Sequence, residues 1–160
     1  RNDNLIAAAS SVLGLNLMVW SSGMFIKEAK SSKIVSWHQY LTYWGLNNAE
    51  ETTCWVALSS ANKESGCMKF IPGSHKTGVI DAGHDLETTS YPLWTLDNDK
   101  VLELAERGGC VAPTGPAGSM LMFSSLLVHA SPPNISPFGR SIRVISPESY
   151  SFNLWISPVY

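Results

Sequence analysis

Lys33-Ile34-Val35-Ser36-Trp37-His38-Gln39-Tyr40 is the stretch whose reading decides the fold class. Its side chains alternate. Ile34, Ser36 and His38 fall on one side, and Val35, Trp37 and Gln39 on the other, which is the period of a strand. That parity makes His38 a strand-end side chain aimed at one defined face. The block runs on through Leu41-Thr42-Tyr43-Trp44-Gly45 and surrounds one of only four histidines with aromatic rings.

Outward from this block, short apolar runs are separated by glycine and proline. Leu15 to Trp20 and Met24 to Lys27 read as two strands split by Ser21-Ser22-Gly23. Thr52 to Leu58 is dense enough to be a strand buried on both faces. Asn62 to Gly66 is a turn, Cys67 to Ile71 a strand, and Pro72-Gly73-Ser74 punctuates the chain after it. Met120 to Phe123 is a strand leading through Leu126 to His129, and a rigid proline-rich loop precedes a last strand, Ser141 to Ile145. Two helices flank these runs. Residues 2–13 are capped by Asn2 or Asp3 and stopped by Gly14, and Asp97 to Arg107 carries a Val101, Leu102, Leu104, Ala105 stripe and a Glu103–Arg107 pair. His75 to Leu96 shows no period and reads as a long surface loop, and the tail from Pro147 yields no assignment. Seven or so short strands with peripheral helices, and no strand–helix alternation, predict a mostly β double-sheet jelly roll in a single domain spanning 1–160.

Composition bounds the partners. The 160 residues are 44% hydrophobic and 15% charged, globular in character, and a net charge of −2 leaves no basic footprint for nucleic acid. No apolar run approaches a membrane span. Cys54, Cys67 and Cys110, an odd number without a C-x-x-C pair, fit free thiols buried as small apolar groups in a reducing, cytoplasmic compartment. The sequon Asn134-Ile135-Ser136 matters only in a secreted chain. The first residue is Arg1, with no methionine and no signal-like region, the look of a fragment or a processed form.

The chemistry lies in His38, His129 and Arg140. Two histidines on opposite strands of a barrel supply two of the three donors of a facial non-haem Fe(II) site. Arg140, eleven residues after His129 and beyond a Pro-rich turn, can grip a dicarboxylate through its planar fork. His75 reads as a residue ordering a turn and His84 as part of an H-D pair on the loop.

Several blocks in fixed order resemble the phytanoyl-CoA dioxygenase family: Trp37-His38-Gln39 with Leu41 to Leu46, Trp55-Val56-Ala57-Leu58, Glu64 to Lys76, and Val128 to Asn134. The segment Gly118 to Arg140 is also similar to ectoine hydroxylases of the same superfamily, and the likeness is strongest over residues 17–145. The resemblance implies a double-stranded β-helix, Fe(II), and 2-oxoglutarate as cosubstrate. It implies iron ligation by His38 and His129 and 2-oxoglutarate binding by Arg140, with Ser131, Trp55, Gln39 and Met24 lining the pocket. The implied reaction is hydroxylation of a small-molecule or acyl substrate with release of succinate and CO2.

One position departs from the family. Tyr40 stands where the family has the ligand aspartate. Three readings follow: a phenolate ligand in an altered site, a catalytically inactive relative serving as a binding scaffold, or an isolated variation in a working oxygenase. The sequence before the first core strands is also short for the family, and an incomplete barrel would leave sheet edges exposed.

Overall fold

The computed structural model describes residues 2–44, 51–84 and 94–149. Strands β1 (Leu17–Lys27), β9 (Arg140–Ser149), β3 (Thr52–Ala57) and β7 (Met120–Ser124) form one antiparallel sheet in the order β1-β9-β3-β7. A second sheet, β2-β8-β4, is built from Val35–His38, His129–Ser131 and Lys69–Phe70, and a bridge from Phe70 to Val111 extends it. The predicted mostly β, two-sheet jelly roll is the observed architecture.

Register places the core. Cys54 opposes Ile145 and Thr53 opposes Phe123, so Trp55, Ala57, Ile142, Val144 and Phe123 share one face. These residues form the main buried cluster, with Phe70 and Met68 facing them from the second sheet. A second cluster, Ile71, Leu96, Val101, Leu104 and Val128, lies beneath helix α3 (Asn98–Gly108), the single turn α2 (Leu41–Trp44) having followed β2. Trp37 packs against this second cluster while His38 enters the barrel, as the alternation in β2 requires.

Both long helices follow their caps. The Asn2 side chain accepts from Leu5 N–H ahead of α1 (Asp3–Leu13), and Asp97 accepts from the amides of Asp99 and Lys100 ahead of α3. The α3 stripe is narrower than predicted. Val101 and Leu104 are buried, but Leu102, about 100° round the helix from its neighbour, is exposed. Arg107 and Glu103 pair at 2.6 Å on the solvent side.

Several expectations are corrected. The runs before Lys27 are a single eleven-residue strand, because Ser21, Ser22 and Gly23 pair with Ser146, Ile145 and Val144, and a bulge between Val19 and Ser21 absorbs the irregularity. As the edge strand of its sheet, β1 leaves Val19, Met24 and Ile26 exposed. Between Ser124 and His129 the chain turns, so β7 and β8 lie in different sheets. The segment read as a loop contains a 3-10 turn (Ser74–Thr77) and the paired strands β5 (Ala82–His84) and β6 (Trp94–Leu96), while residues 85–93 lie outside the described ones. The unassigned tail begins as the end of β9, and residues 150–160 are outside the description. Cys54 and Cys67 are buried as expected, but Cys110 is exposed. Asn134 of the sequon is fully buried and closed to glycosylation.

Candidate functional site

His38 ends β2 and His129 begins β8, and the two are direct cross-strand partners. Their imidazoles therefore meet inside the barrel, ring centroids 4.1 Å apart and tilted by 52°. His38 is 2% exposed and His129 not at all. Each ring is held the same way, with Nδ1 2.8 Å from the Ser36 carbonyl in one case and 2.7 Å from the Leu127 carbonyl in the other. A carbonyl only accepts, so Nδ1 carries the proton of each neutral ring and Nε2 keeps its lone pair. Burial pushes His38 down to about 4, against the opposing pull of the Ser36 and His129 backbone. Burial drives His129 well below its ordinary value, and the His38 ring beside it adds to the effect. Both rings are thus neutral at pH 7. His129 Nε2 is buried with no hydrogen-bond partner.

Tyr40 completes a triangle of rings. Its centroid lies 4.5 Å from His129 and 5.2 Å from His38, edge-on to both, and its face stacks on Phe123 at 6.1 Å. Tyr40 N–H donates to the Ser125 carbonyl at 2.9 Å, fixing the main chain where the strand ends. Among the described residues, no set of three metal-ligating His, Cys, Asp or Glu side chains is assembled.

Beside the rings lies a cavity of about 110 Å³ lined by His38, Tyr40, Trp55, Ser131, Arg140 and Lys27, with apolar walls from Phe25, Met68 and Ile142. It holds two buried cations. Arg140 enters from the first residue of β9, its guanidinium over the Trp55 ring at 5.7 Å. Arg140 Nη1 donates to the Gly66 carbonyl and lies 3.3 Å from Ser131 Oγ. Lys27 pairs with Arg140 in the β1–β9 register, and its ammonium donates to the Ser131 carbonyl at 2.9 Å and to the Pro132 carbonyl. Desolvation, with Arg140 adding repulsion, lowers Lys27 to about 7. One cavity wall thus carries a buried guanidinium, a lysine about half charged near neutral pH and a serine hydroxyl.

Of the residues expected to line the pocket, Ser131 and Trp55 do, whereas Gln39 and Met24 do not. Gln39 follows His38 and so points to the other side of the strand. There its amide donates to the Gly78 and Leu126 carbonyls and accepts from Ile80 N–H. Met24 has the opposite parity from Lys27 on β1 and is 58% exposed, opposite the exposed Arg143. His75 sits in the 3-10 turn as expected, away from the His38–His129 pair.

Sequence reasoning missed three residues. Lys27 could have been found by parity only if β1 and its pairing with β9 were known. Gly66 adopts φ +72°, and a Cβ there would meet the Pro132 carbonyl oxygen at 2.5 Å, so only glycine aims this carbonyl at Arg140 and Ser131. Asn134 donates to the Lys27, Glu28 and Phe138 carbonyls while Ser136 N–H and Oγ donate to its Oδ1. It clamps the Pro132–Gly139 loop to the end of β1, holding both cations in place.

A larger apolar cleft of about 480 Å³, lined by Phe70, Val111, Leu121, Met122, Phe123 and Leu127 with His75 among its residues, adjoins the rings. Its Phe70 and Phe123 walls pack on His129 at 6.1 and 5.0 Å.

The sequence matches the model of the phytanoyl-CoA dioxygenase (PhyH) family over residues 2–142. Among curated proteins it is 29% identical over 151 residues to the ectoine dioxygenase of Bordetella parapertussis, covering 88% of this chain and 49% of that protein. It is 30% identical over 143 residues to the ectoine dioxygenase of Stutzerimonas stutzeri, covering 83% and 47%. The chain thus spans about half the length of the curated relatives it matches. Among solved structures, EctD from S. alaskensis with 2-oxoglutarate and 5-hydroxyectoine superposes with a TM-score of 0.75 at 26% identity, covering 92% of this chain and 50% of that one. The same enzyme with bound Fe gives a TM-score of 0.74 at 25% identity, with the same coverage.

Proposed function

Because the chain belongs to the phytanoyl-CoA dioxygenase family, we propose that it is an Fe(II)- and 2-oxoglutarate-dependent dioxygenase. It hydroxylates a small-molecule or acyl substrate and releases succinate and CO2. The observation that carries this reading is the junction of two features: a buried pair of neutral imidazoles and, beside it, a cavity lined by the buried Arg140 guanidinium and the Lys27 amine.

The donor set fits a metal ion in two of its three positions. The orphaned, buried Nε2 of His129 is what a metal ligand looks like before it is occupied, because such an atom otherwise costs about 1–3 kcal/mol without return. Anchoring of each Nδ1 by a carbonyl fixes the tautomer and the ring orientation, as the outer partners of metal-binding histidines do. His38 and His129 would hold the iron, and the iron when bound supplies the oxygen chemistry.

The remaining work belongs to this chain's own residues. Arg140 and Lys27 hold the dicarboxylate by charge, and the Trp55 ring lies under the guanidinium, 5.7 Å from centroid to Cζ. Ser131 adds a hydroxyl at the same wall. Phe25, Met68 and Ile142 keep bulk water from the cationic pair. The neutrality of both imidazoles keeps the Nδ1 protons committed to the backbone, and at His129 it leaves the buried Nε2 lone pair without a partner.

The test is succinate formation from 2-oxoglutarate under air with Fe(II), measured against a His38→Ala control, together with thermal shifts for each ligand under anaerobic conditions. Succinate above the control, and stabilisation by 2-oxoglutarate that Arg140→Gln removes, are the expected results. Tyr40 favours a second reading, a binding scaffold without turnover. Stabilisation by 2-oxoglutarate with no succinate would select it, and absence of both responses would refute both readings.

A further inference from the structure

We infer that the inward face of the main sheet carries, at its Glu51 end, a binding site for a hard metal cation, Ca2+ by charge, built from oxygen donors on three strands. The site is separate from the His38–His129 pair and does not rest on the reading of those histidines.

Strand register assembles it. Along β3, Glu51 and Thr53 continue the inward parity of Trp55 and Ala57. The pairing that sets Cys54 against Ile145 sets Thr53 against Ser146, and a bridge then joins Glu51 to Glu148. On the other side Thr52 opposes Ser124, so the next residue, Ser125, comes opposite Glu51. Opposed residues share a face, with Cβ atoms about 4.5–5.5 Å apart. One carboxylate is thus flanked by a hydroxyl on β7's side and a second carboxylate on β9, with the Thr53 and Ser146 hydroxyls beside them.

These oxygens are buried and unmatched. Glu51 is 3% exposed, and Thr53, Ser125 and Ser146 are at most 1% exposed. Neither carboxylate oxygen of Glu51 has a hydrogen-bond partner, nor does the hydroxyl of Thr53, Ser125 or Ser146. Thr42, next to the Leu41 amide that donates to the Ser125 carbonyl, has an unpartnered hydroxyl too. Elsewhere on the same strand the pairing is ordinary: the Thr52 hydroxyl donates to the Phe123 carbonyl at 3.1 Å. Buried oxygens are normally paired, and a carboxylate with both oxygens unpaired is the least favourable case. Oxygens that share one ion at 2.3–2.6 Å stand about 3.5 Å apart and do not bond one another, which accounts for the missing partners. Burial pushes Glu51 up to about 7, the Ser125 hydroxyl pulls the other way, and Glu148 adds to the rise. A cation between the carboxylates reverses that balance.

The donor set selects the ion. Two carboxylates and three or four hydroxyls, with no third His, Cys, Asp or Glu side chain, suit a hard divalent ion and not iron or zinc. Mg2+ keeps several waters in a strict octahedron, which a buried strand face does not accommodate, whereas Ca2+ accepts an irregular shell. An ion here ties β3, β7 and β9 together where the Ser125 carbonyl receives the Tyr40 and Leu41 amides.

The experiment is thermal unfolding and calorimetric titration of the intact, chelator-treated chain at pH 8, with CaCl2 or MgCl2 at matched ionic strength and no iron or 2-oxoglutarate. Wild type should bind one Ca2+ per chain and gain about 5 °C or more in Tm at a hundredfold excess over Kd, with a far smaller response to Mg2+. Glu51→Gln should lose the Ca2+ response, Thr53→Val should weaken affinity roughly tenfold, and His129→Ala should keep the response. Should Glu51→Gln fail to fold, weakened binding in both Thr53→Val and Ser146→Ala decides in its place. No response in wild type, with Glu51→Gln the more stable protein, overturns the site and leaves Glu51 a buried neutral acid. A response that persists in Glu51→Gln, or that disappears in His129→Ala, overturns it by placing the ion elsewhere.

Discussion

Lys27 offers the most direct measurement of the electrostatics of the cavity. Its folded-state value is about 7, lowered from 10.5 by burial and by Arg140. The unfolded chain binds this proton up to about pH 10.5, so between these values the unfolded state holds more protons and folding stability rises with pH. Linkage sets the size of the effect: the penalty for Lys27 falls from roughly 4 kcal/mol at pH 7.5 to roughly 2 kcal/mol at pH 9. Water reaching the cavity screens part of this, leaving an expected gain of about 1–2 kcal/mol, or roughly 3–6 °C in Tm. The histidines are shifted downward and titrate below this window. The buried thiols of Cys54 and Cys67, pushed above their ordinary 9.0, ionise first in the unfolded chain and offset part of the Lys27 gain near pH 9, so the effect is read as the difference between wild type and Lys27→Met. Glu51, raised to about 7 by burial, completes most of its change before this window. Urea denaturation at pH 7.5, 8.25 and 9 reads the effect, with Lys27→Met as the control that removes the slope. Because 2-oxoglutarate would hold Lys27 in its charged form, its stabilisation should be larger at pH 7.5 than at pH 9. A Lys27→Met protein whose stability changes with pH as the wild type's does would refute the account of a buried, desolvated ammonium.

Three further outcomes follow from the same geometry. Gly66→Ala should lose about 3 kcal/mol of stability in urea melts, combining a positive-φ penalty with a Cβ placed 2.5 Å from a backbone oxygen, and should weaken 2-oxoglutarate binding because the carbonyl that orients Arg140 moves; a loss under 1 kcal/mol contradicts it. Arg140→Lys keeps the charge but not the fork, and isothermal titration should show 2-oxoglutarate affinity falling roughly thirtyfold, about 2 kcal/mol; unchanged affinity would mean Arg140 is not the anchor. Asn134→Ala removes the shared donor to the Lys27, Glu28 and Phe138 carbonyls and the acceptor of Ser136, and should cost about 2–4 kcal/mol, read by thermal or urea unfolding; a near-neutral change would show that the loop is held by other contacts.

Much of the fold was legible because its signals are local. The alternation of Lys33 to Gln39 set the inward face of His38, and the caps at Asn2 and Asp97 set both long helices. Gly14 and Gly109 end those helices with positive φ, a demand written in the residue itself. Where the reading went wrong, a longer-range partner overruled a local cue. Ser21-Ser22-Gly23 looks like a turn in isolation but continues a strand, because β9 supplies hydrogen-bond partners 125 to 121 residues away. The β5–β6 pair is short and lacks a period, so nothing local announces it.

The site itself divides along the same line. His38, His129 and Arg140 were recognisable as residue types at informative spacings, and parity then decided which neighbours could reach them. It turned Gln39 toward the Gly78 carbonyl and Met24 toward solvent, although both lie within three residues of a pocket side chain. It brought in Lys27, which sits at the end of an apolar run where a solvent-facing lysine would be the ordinary expectation. The atoms that hold the cations come from far along the chain: Ser131 lies 104 residues from Lys27, and Gly66 lies 74 from Arg140. Such contacts exist only once both sheets have formed. The anion pocket therefore depends on the β1–β9 pairing, and Asn134, which is not among the residues lining the cavity, fastens that pairing to the loop behind it. A substitution that loosens Asn134 should accordingly weaken 2-oxoglutarate binding as well as stability, whereas one on exposed α3, such as Leu102→Ala, should leave binding unchanged.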